Sequence, residues 1–188
     1  FSGVHPQISG HSGYKMSQIS WLDNPILSQT TSVFKLFLDN GFEVYGSGKV
    51  YHAFRLRLED FTDYNLEPEQ GPWGFIKGIH SDMPESFNEY GLSFARLENI
   101  PSYPEYTGWQ TKDGEPFFFE SDENRDLMPD EMTVEYCSNF FEEYAAGDQE
   151  KPFFLSAGIY NPHEPFHVPG KYWDLYDTAN FNFDYLQP

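Results

Sequence analysis

One cysteine, Cys137, stands in 188 residues, so no internal disulfide framework can hold this chain together, and the redox compartment stays open. Basic residues are scarce too: 11 Lys and Arg face 30 Asp and Glu, a formal charge of −19. Such a balance repels phosphate backbones and anionic lipid, which argues against nucleic acid and anionic membranes as partners. No apolar run approaches the ~18–20 residues of a membrane span. No initiating Met and no leader-like segment opens the chain, and "FSGVHPQISG" reads as the inside of something longer. What the sequence does hold is 39% hydrophobic residues, enough for a real core, and 19% aromatics, with 13 Tyr and 19 Phe. The acidity also suits a protein kept soluble in salty surroundings.

Residues 1–28 carry Ser, Gly and turn residues with no sustained period. From Thr30, Val33, Phe34, Leu36, Phe37 and Leu38 cluster at helical spacing behind a Ser/Thr cap, and Gly41 ends the run as a C′ residue should. "FEVYGSGKVYHA" then predicts a short strand, Phe42 to Tyr45, running into a Gly-x-Gly turn. Residues 55–127 are rich in Gly, Pro, Trp, Tyr and acidic residues with only short apolar runs. They predict a long aromatic and acidic loop excursion, ordered and packed. "MPDEMTVEYCSNFFEEYAAG" predicts a helix with Pro129 near its first turn and Asp130 and Glu131 complementing its dipole. Its expected apolar face is Val134, Cys137, Phe140, Phe141 and Tyr144. Gly147 ends it, and "KPFFLSAGIY" follows as an expected buried strand. Helix and strand in alternation point to an α/β architecture.

"NPHEPFHVPG" contains H-E-x-x-H, the spelling of a zinc protease site. That motif works only on a helix, where residues i and i+4 share a face. Pro162, Pro165 and Pro169 crowd it, and Pro165 lies between the histidines, where a helix would lose a donor and clash. An extended loop is the expectation, with His163 and His167 pointing apart. Two predicted strands therefore feed polar loops, "GSGKVYH" and "YNPHEPFH", and ligands of open α/β sheets gather beyond strand carboxyl ends. Lys49, His52 and His163 are the candidates for one site: two imidazoles and an ammonium suited to a small oxyanion. His167, His80, His5 and His11 are assigned structural roles. Cys137 is assigned to core packing. The acidic run "FFFESDENRD" is a solvated loop whose paired carboxylates could hold Ca²⁺ weakly.

At this point the residues resemble the type I sulfatases. "GSGKVYHA" resembles their G-K-x-x-H segment, and "KPFFLSAGIYNPHEPFHVPGKYWDLYD" resembles P-F-F-L, then P-H-x-P, then a P-x-x-Y-x-x-L-Y tail. "LMPDEMTVEYCSNFFEEY" is similar to the helix before that tail. "FSGVHP" resembles the end of the signature C/S-x-P-S-R-x-x-x-x-T-G, with Ser2 and Gly3 in the T-G place. The wording K-V-[FY]-H and P-H-[IE]-P-F is most like iduronate-2-sulfatase-like members. The likeness is weak between Phe54 and Asp126.

The resemblance implies an alkaline phosphatase-like sandwich, a central mixed β-sheet flanked by helices. The whole chain, 1–188, would be part of one catalytic domain. It implies a sulfuric ester hydrolase using a formylglycine nucleophile made from a signature Cys or Ser upstream of Phe1, and Ca²⁺ held by residues outside this chain. In that scheme Lys49 binds the nucleophile and sulfate oxygens, and His52 hydrogen-bonds the formylglycine diol and helps expel sulfate. His163 binds sulfate and protonates the leaving alcohol. The expected partners are a sulfated small molecule or saccharide and the remainder of the sulfatase polypeptide, with no nucleic acid and no membrane span. The implied compartment is secreted, periplasmic or lysosomal-type. Residues 55–127, through Trp73 and Trp109, are expected to line the pocket mouth and select the substrate. Two other readings stay open: a non-catalytic carbohydrate- or anion-binding module, and a phosphonate or phosphate-ester hydrolase of the same superfamily.

Overall fold

A computed structural model describes residues 1–10, 23–51, 57–65, 71–74, 94–103, 106–111, 114–147, 151–163, 165–177 and 180. In chain order these form α1 (Pro6–Ser9), α2 (Val33–Asp39), β1 (Glu43–Gly48), β2 (Asp63–Asn65), β3 (Phe94–Arg96) and β4 (Ser102–Tyr103). There follow β5 (Tyr106–Thr107), β6 (Trp109–Gln110), β7 (Pro116–Phe117), α3 (Pro129–Ala145), β8 (Phe153–Gly158), β9 (Phe166–Val168) and α4 (Gly170–Trp173). The chain divides into two compact units, Phe1–Glu69 with Pro129–Tyr160 and Gln70–Met128 with Asn161–Pro188. The class is α/β. Among the described residues no helix is long and apolar enough to cross a membrane.

The first unit is built on a parallel sheet in the order β2-β1-β8, with Gly48 opposite Gly158 in the register of β1 and β8. Parallel sheets need both faces covered, and the sequence covers this one with aromatics. Alternation along β8 sends Phe153 and Phe154 to opposite faces. Phe154 meets Phe34 and Phe37 of α2, with ring centroids 5.6 and 4.5 Å away. Phe153 meets Phe140 and Tyr144 of α3 at 4.9 and 4.6 Å, and Tyr45 of β1 joins Phe140 at 4.7 Å. Phe34, Val44, Val50 and Phe61 form the buried core between α2 and the sheet.

The start of α2 is fixed from two directions. Ser32 Oγ accepts the Lys35 N–H at 3.0 Å and donates to the fully buried Asp60. Asp60 in turn meets Arg57 Nε at 3.0 Å. Tyr51 lies in the same neighbourhood. Burial and, next, the Asp60 carboxylate push its phenol up to about 12. Burial likewise raises Tyr64, and burial with Asp63 raises Tyr136. An unfolded tyrosine ionises near pH ~10, so these phenols hold their protons more tightly in the fold. The Tyr51 contribution to stability is complete below pH ~10 and is lost as pH rises toward about 12, and the raised Tyr64 and Tyr136 phenols act in the same direction. Thermal melts across that window should fall steadily, and Tyr51→Phe should flatten the fall. An unchanged slope would show that Tyr51 is not held this way.

Four sequence expectations change here. β1 runs on through Gly46, Ser47 and Gly48 rather than turning at them. At Gly46 a Cβ would sit 2.7 Å from the Tyr64 ring and 2.9 Å from that of Phe61, so this glycine admits two aromatics rather than bending the chain. Residues 63–65, expected within the loop excursion, supply the strand β2. The buried stripe of α3 is Pro129, Thr133 and Phe140, while Val134 and Phe141 are 57% and 54% exposed. β8 is half-buried over most of its length, because β1 is its one partner among the described strands.

The second unit has its own core of Ala95, Leu97, Trp109, Phe117 and Met128. β3 pairs with β9 in parallel, setting Ala95 opposite His167, and β4–β5 and β6–β7 are antiparallel ribbons. Of the expected excursion, residues 57–65 belong to the first unit, while Ala95, Leu97, Trp109 and Phe117 pack into the core of the second.

Candidate functional site

The carboxyl ends of β1 and β8 lie side by side because the strands are parallel and paired through to their last residues. Lys49 follows β1 directly and is half-buried. Its N–H donates to Gly158 O at 2.8 Å, which pins the residue to the end of β8. The approach depends on two glycines. A Cβ at Gly48, whose φ is +71°, would fall below 3.0 Å from Gly158 O and Thr133 Oγ1. A Cβ at Gly158 would fall below 3.0 Å from the Lys49 carbonyl and the Val50 nitrogen.

Beyond Gly158 the chain reaches Tyr160, whose N–H donates to Asp130 Oδ1 at 2.7 Å in the first turn of α3. The Lys49 ammonium stands 4.8 Å from the centroid of the Tyr160 ring. Lys35, Arg57, Arg96 and Lys151 all pair with carboxylates, whereas Lys49 forms no ion pair among the described residues. An ammonium resting on an aromatic face keeps its charge available to an anion. Sequence reasoning singled out Lys49 and gave no signal for Tyr160, Gly158 or Thr133 around it. Nothing local marks them, because their relation to Lys49 exists only through the β1–β8 register.

His52 lies outside the described residues, as do His80 and His11. His163 is exposed in the turn that opens the second unit's last segment. The H-E-x-x-H spelling does not form a helix, since its second histidine is in β9. His167 is fully buried, its Nδ1 2.8 Å from Pro72 O and its ring 4.7 Å from that of Trp109. It has the structural role expected of it. His5 is exposed at the start of α1 and makes no capping bond with its side chain. Cys137 is half-buried, and burial raises its thiol above the ordinary value.

Trp73 and Trp109 have different surroundings. Trp73 is half-buried and its backbone pairs with that of Gln110. Trp109 departs from the expectation of a substrate contact, being 2% exposed with its Nε1 donating to Leu97 O at 2.8 Å. A stacking platform needs an open ring face, and this one is packed in the core. Trp109→Ala should therefore remove about 3–5 kcal/mol from the second unit's stability, read by denaturant unfolding. Wild-type stability combined with a raised KM would restore the substrate-binding role.

The acidic run is hydrogen-bonded both within itself and to the start of α4. Asp122 accepts the N–H groups of Gly170 and Lys171 at 3.0 and 2.6 Å, and Asp126 Oδ2 accepts that of Phe118 at 2.7 Å. Among the described residues no group of three or more His, Cys, Asp or Glu is placed to hold a metal ion. The implied calcium therefore has no cage among these residues, and no step is assigned to it.

No family model matches the chain. The chain is similar to a curated protein named "Sulfatase" from Formosa agariphila, 28% identical over 176 residues. The match takes in 93% of this chain and 30% of that protein, so the chain spans about 30% of its relative's length. The likeness runs through both compact units and supports kinship with the sulfatases.

Proposed function

We propose that this chain carries part of the active site of a sulfuric ester hydrolase acting on a sulfated carbohydrate or alcohol. The observation that carries it is Lys49, fixed at the carboxyl ends of two parallel strands with no carboxylate partner among the described residues. The similarity to a protein named a sulfatase supports the choice of anion. The fold in this reading is the alkaline phosphatase-like sandwich, both units belonging to one catalytic domain, and the nearest subtype is iduronate-2-sulfatase-like. The remainder of the polypeptide supplies a formylglycine upstream of Phe1, whose hydrated form provides the hydroxyl that attacks sulfur.

The chain's own residues then have distinct tasks. Lys49 neutralises the non-bridging sulfate oxygens as charge develops on them. His163 gives a proton to the bridging oxygen as the S–O bond breaks, so that the alcohol leaves neutral. His52 would assist the departure of sulfate from the site once the alcohol has left. Trp73 remains a candidate for substrate contact. The compartment follows the sulfatases, secreted, periplasmic or lysosomal-type.

Rates on paired aryl sulfate and aryl phosphate substrates test the reading. The full-length protein should prefer the sulfate, and Lys49→Ala should abolish most of that activity. A preference for phosphate would turn the assignment to a phosphate-ester hydrolase. Binding of sulfated sugar without turnover would turn it to a binding module.

A further inference from the structure

We propose that Tyr160 is a positioning residue for Lys49, and that its ring is what keeps this ammonium on the anion rather than on the protein's own carboxylates. This rests on the sulfate-binding role of Lys49 proposed above. The physical problem is set by composition. With 30 acidic residues against 11 basic ones, the default partner of a lysine is a carboxylate, and four other described cations have taken one. A carboxylate beside Lys49 would orient it but would also neutralise it and repel a sulfate dianion or monoester. An aromatic face orients an ammonium through its quadrupole while adding no formal negative charge.

The backbone shows how the ring is held in place. Tyr160 lies two residues past Gly158, the glycine whose carbonyl accepts the Lys49 N–H at 2.8 Å. Its own N–H is held by Asp130 at 2.7 Å. Lys49 is thus tied to the end of β8 through Gly158 O, and Tyr160 to the first turn of α3 through Asp130. The Asp130 carboxylate accepts the Tyr160 N–H and forms no ion pair with Lys49. Any planar, apolar ring at position 160 would serve, and the phenol hydroxyl is not required.

The test uses the full-length protein with its lysines reductively ¹³C-methylated, which preserves their charge, and the Lys49 signal assigned by its loss in Lys49→Arg. Ring current from Tyr160 should shift the Lys49 methyl resonance upfield; Tyr160→Phe should keep the shift and Tyr160→Leu should abolish it. In parallel, inorganic sulfate is titrated as a competitive inhibitor of aryl sulfate turnover. Tyr160→Leu should weaken sulfate inhibition and raise KM by about two- to fivefold, with Tyr160→Phe close to wild type. An unshifted resonance in the wild type would overturn the pairing itself. A shift lost in Tyr160→Leu with unchanged sulfate inhibition would overturn its purpose. Sulfate inhibition unchanged in Lys49→Gln would instead overturn the sulfate role of Lys49, and this inference with it.

Discussion

Replacing Gly158 by Ala is expected to destabilise the first unit by more than about 4 kcal/mol, an effect at the far end of what single substitutions produce. The reason is space. The new methyl would fall below 3.0 Å from the carbonyl carbon and oxygen of Lys49 and from the nitrogen of Val50. These are backbone atoms, so no side chain can swing away to make room. Relief requires separating the ends of β1 and β8, which breaks the bond from Lys49 N–H to Gly158 O and moves Lys49 with it. Because a domain's whole stability is about 5–15 kcal/mol, the variant should unfold at far lower denaturant and lose activity even where some fold remains. Gly41→Ala is the control. Gly41 has φ +85° but nothing within 4 Å of its Cβ position, so only the left-handed backbone penalty of about 1–2 kcal/mol applies. A Gly158→Ala protein that melts with the wild type would mean that the two strand ends are not this close.

His163→Ala is expected to lower kcat on an alkyl or sugar sulfate by about 10²–10⁴, the usual contribution of a positioned general acid. The loss should shrink for an aryl sulfate whose phenol leaves without a proton. That dependence on the leaving group is what separates proton donation from loss of binding, since binding alone would affect both substrates alike. His167→Ala provides the internal comparison, because the two histidines lie in one short segment with opposite exposure. His167 is fully buried, bonded to Pro72 O and packed on Trp109, so its removal should lower the stability of the second unit. Activity per folded molecule should change little. Equal kinetic damage from both variants would move the acid out of position 163.

Much of this was legible in the sequence where the signal was local. The Ser/Thr cap before Val33 and the glycine at 41 gave α2 its limits, since capping is chemistry between near neighbours. α3 was legible in extent and in part of its face: Phe140 and Tyr144 meet Phe153 of the sheet as expected, whereas Val134 and Phe141 are exposed and Thr133, beside Gly48, is buried. Gly46 and Gly48 read as a turn because glycine usually marks one. Here they make room for Tyr64, Phe61 and Gly158, which are distant in sequence. β2 went unseen for the same reason: three residues whose only claim to be a strand is pairing with β1. Lys49 was legible from a motif, whereas the ring beneath it needed the register of two strands. Trp109 shows the opposite failure, an aromatic in a Gly- and Pro-rich stretch that looked open to solvent and is packed in a core.

Peptide mass mapping of the native full-length protein tests the sulfatase assignment most directly. The expected result is a C/S-x-P-S-R peptide preceding Phe1 whose Cys or Ser has become formylglycine. Sulfate-ester turnover by a protein in which that position is an unmodified Cys or Ser, or the absence of any such peptide, would contradict it.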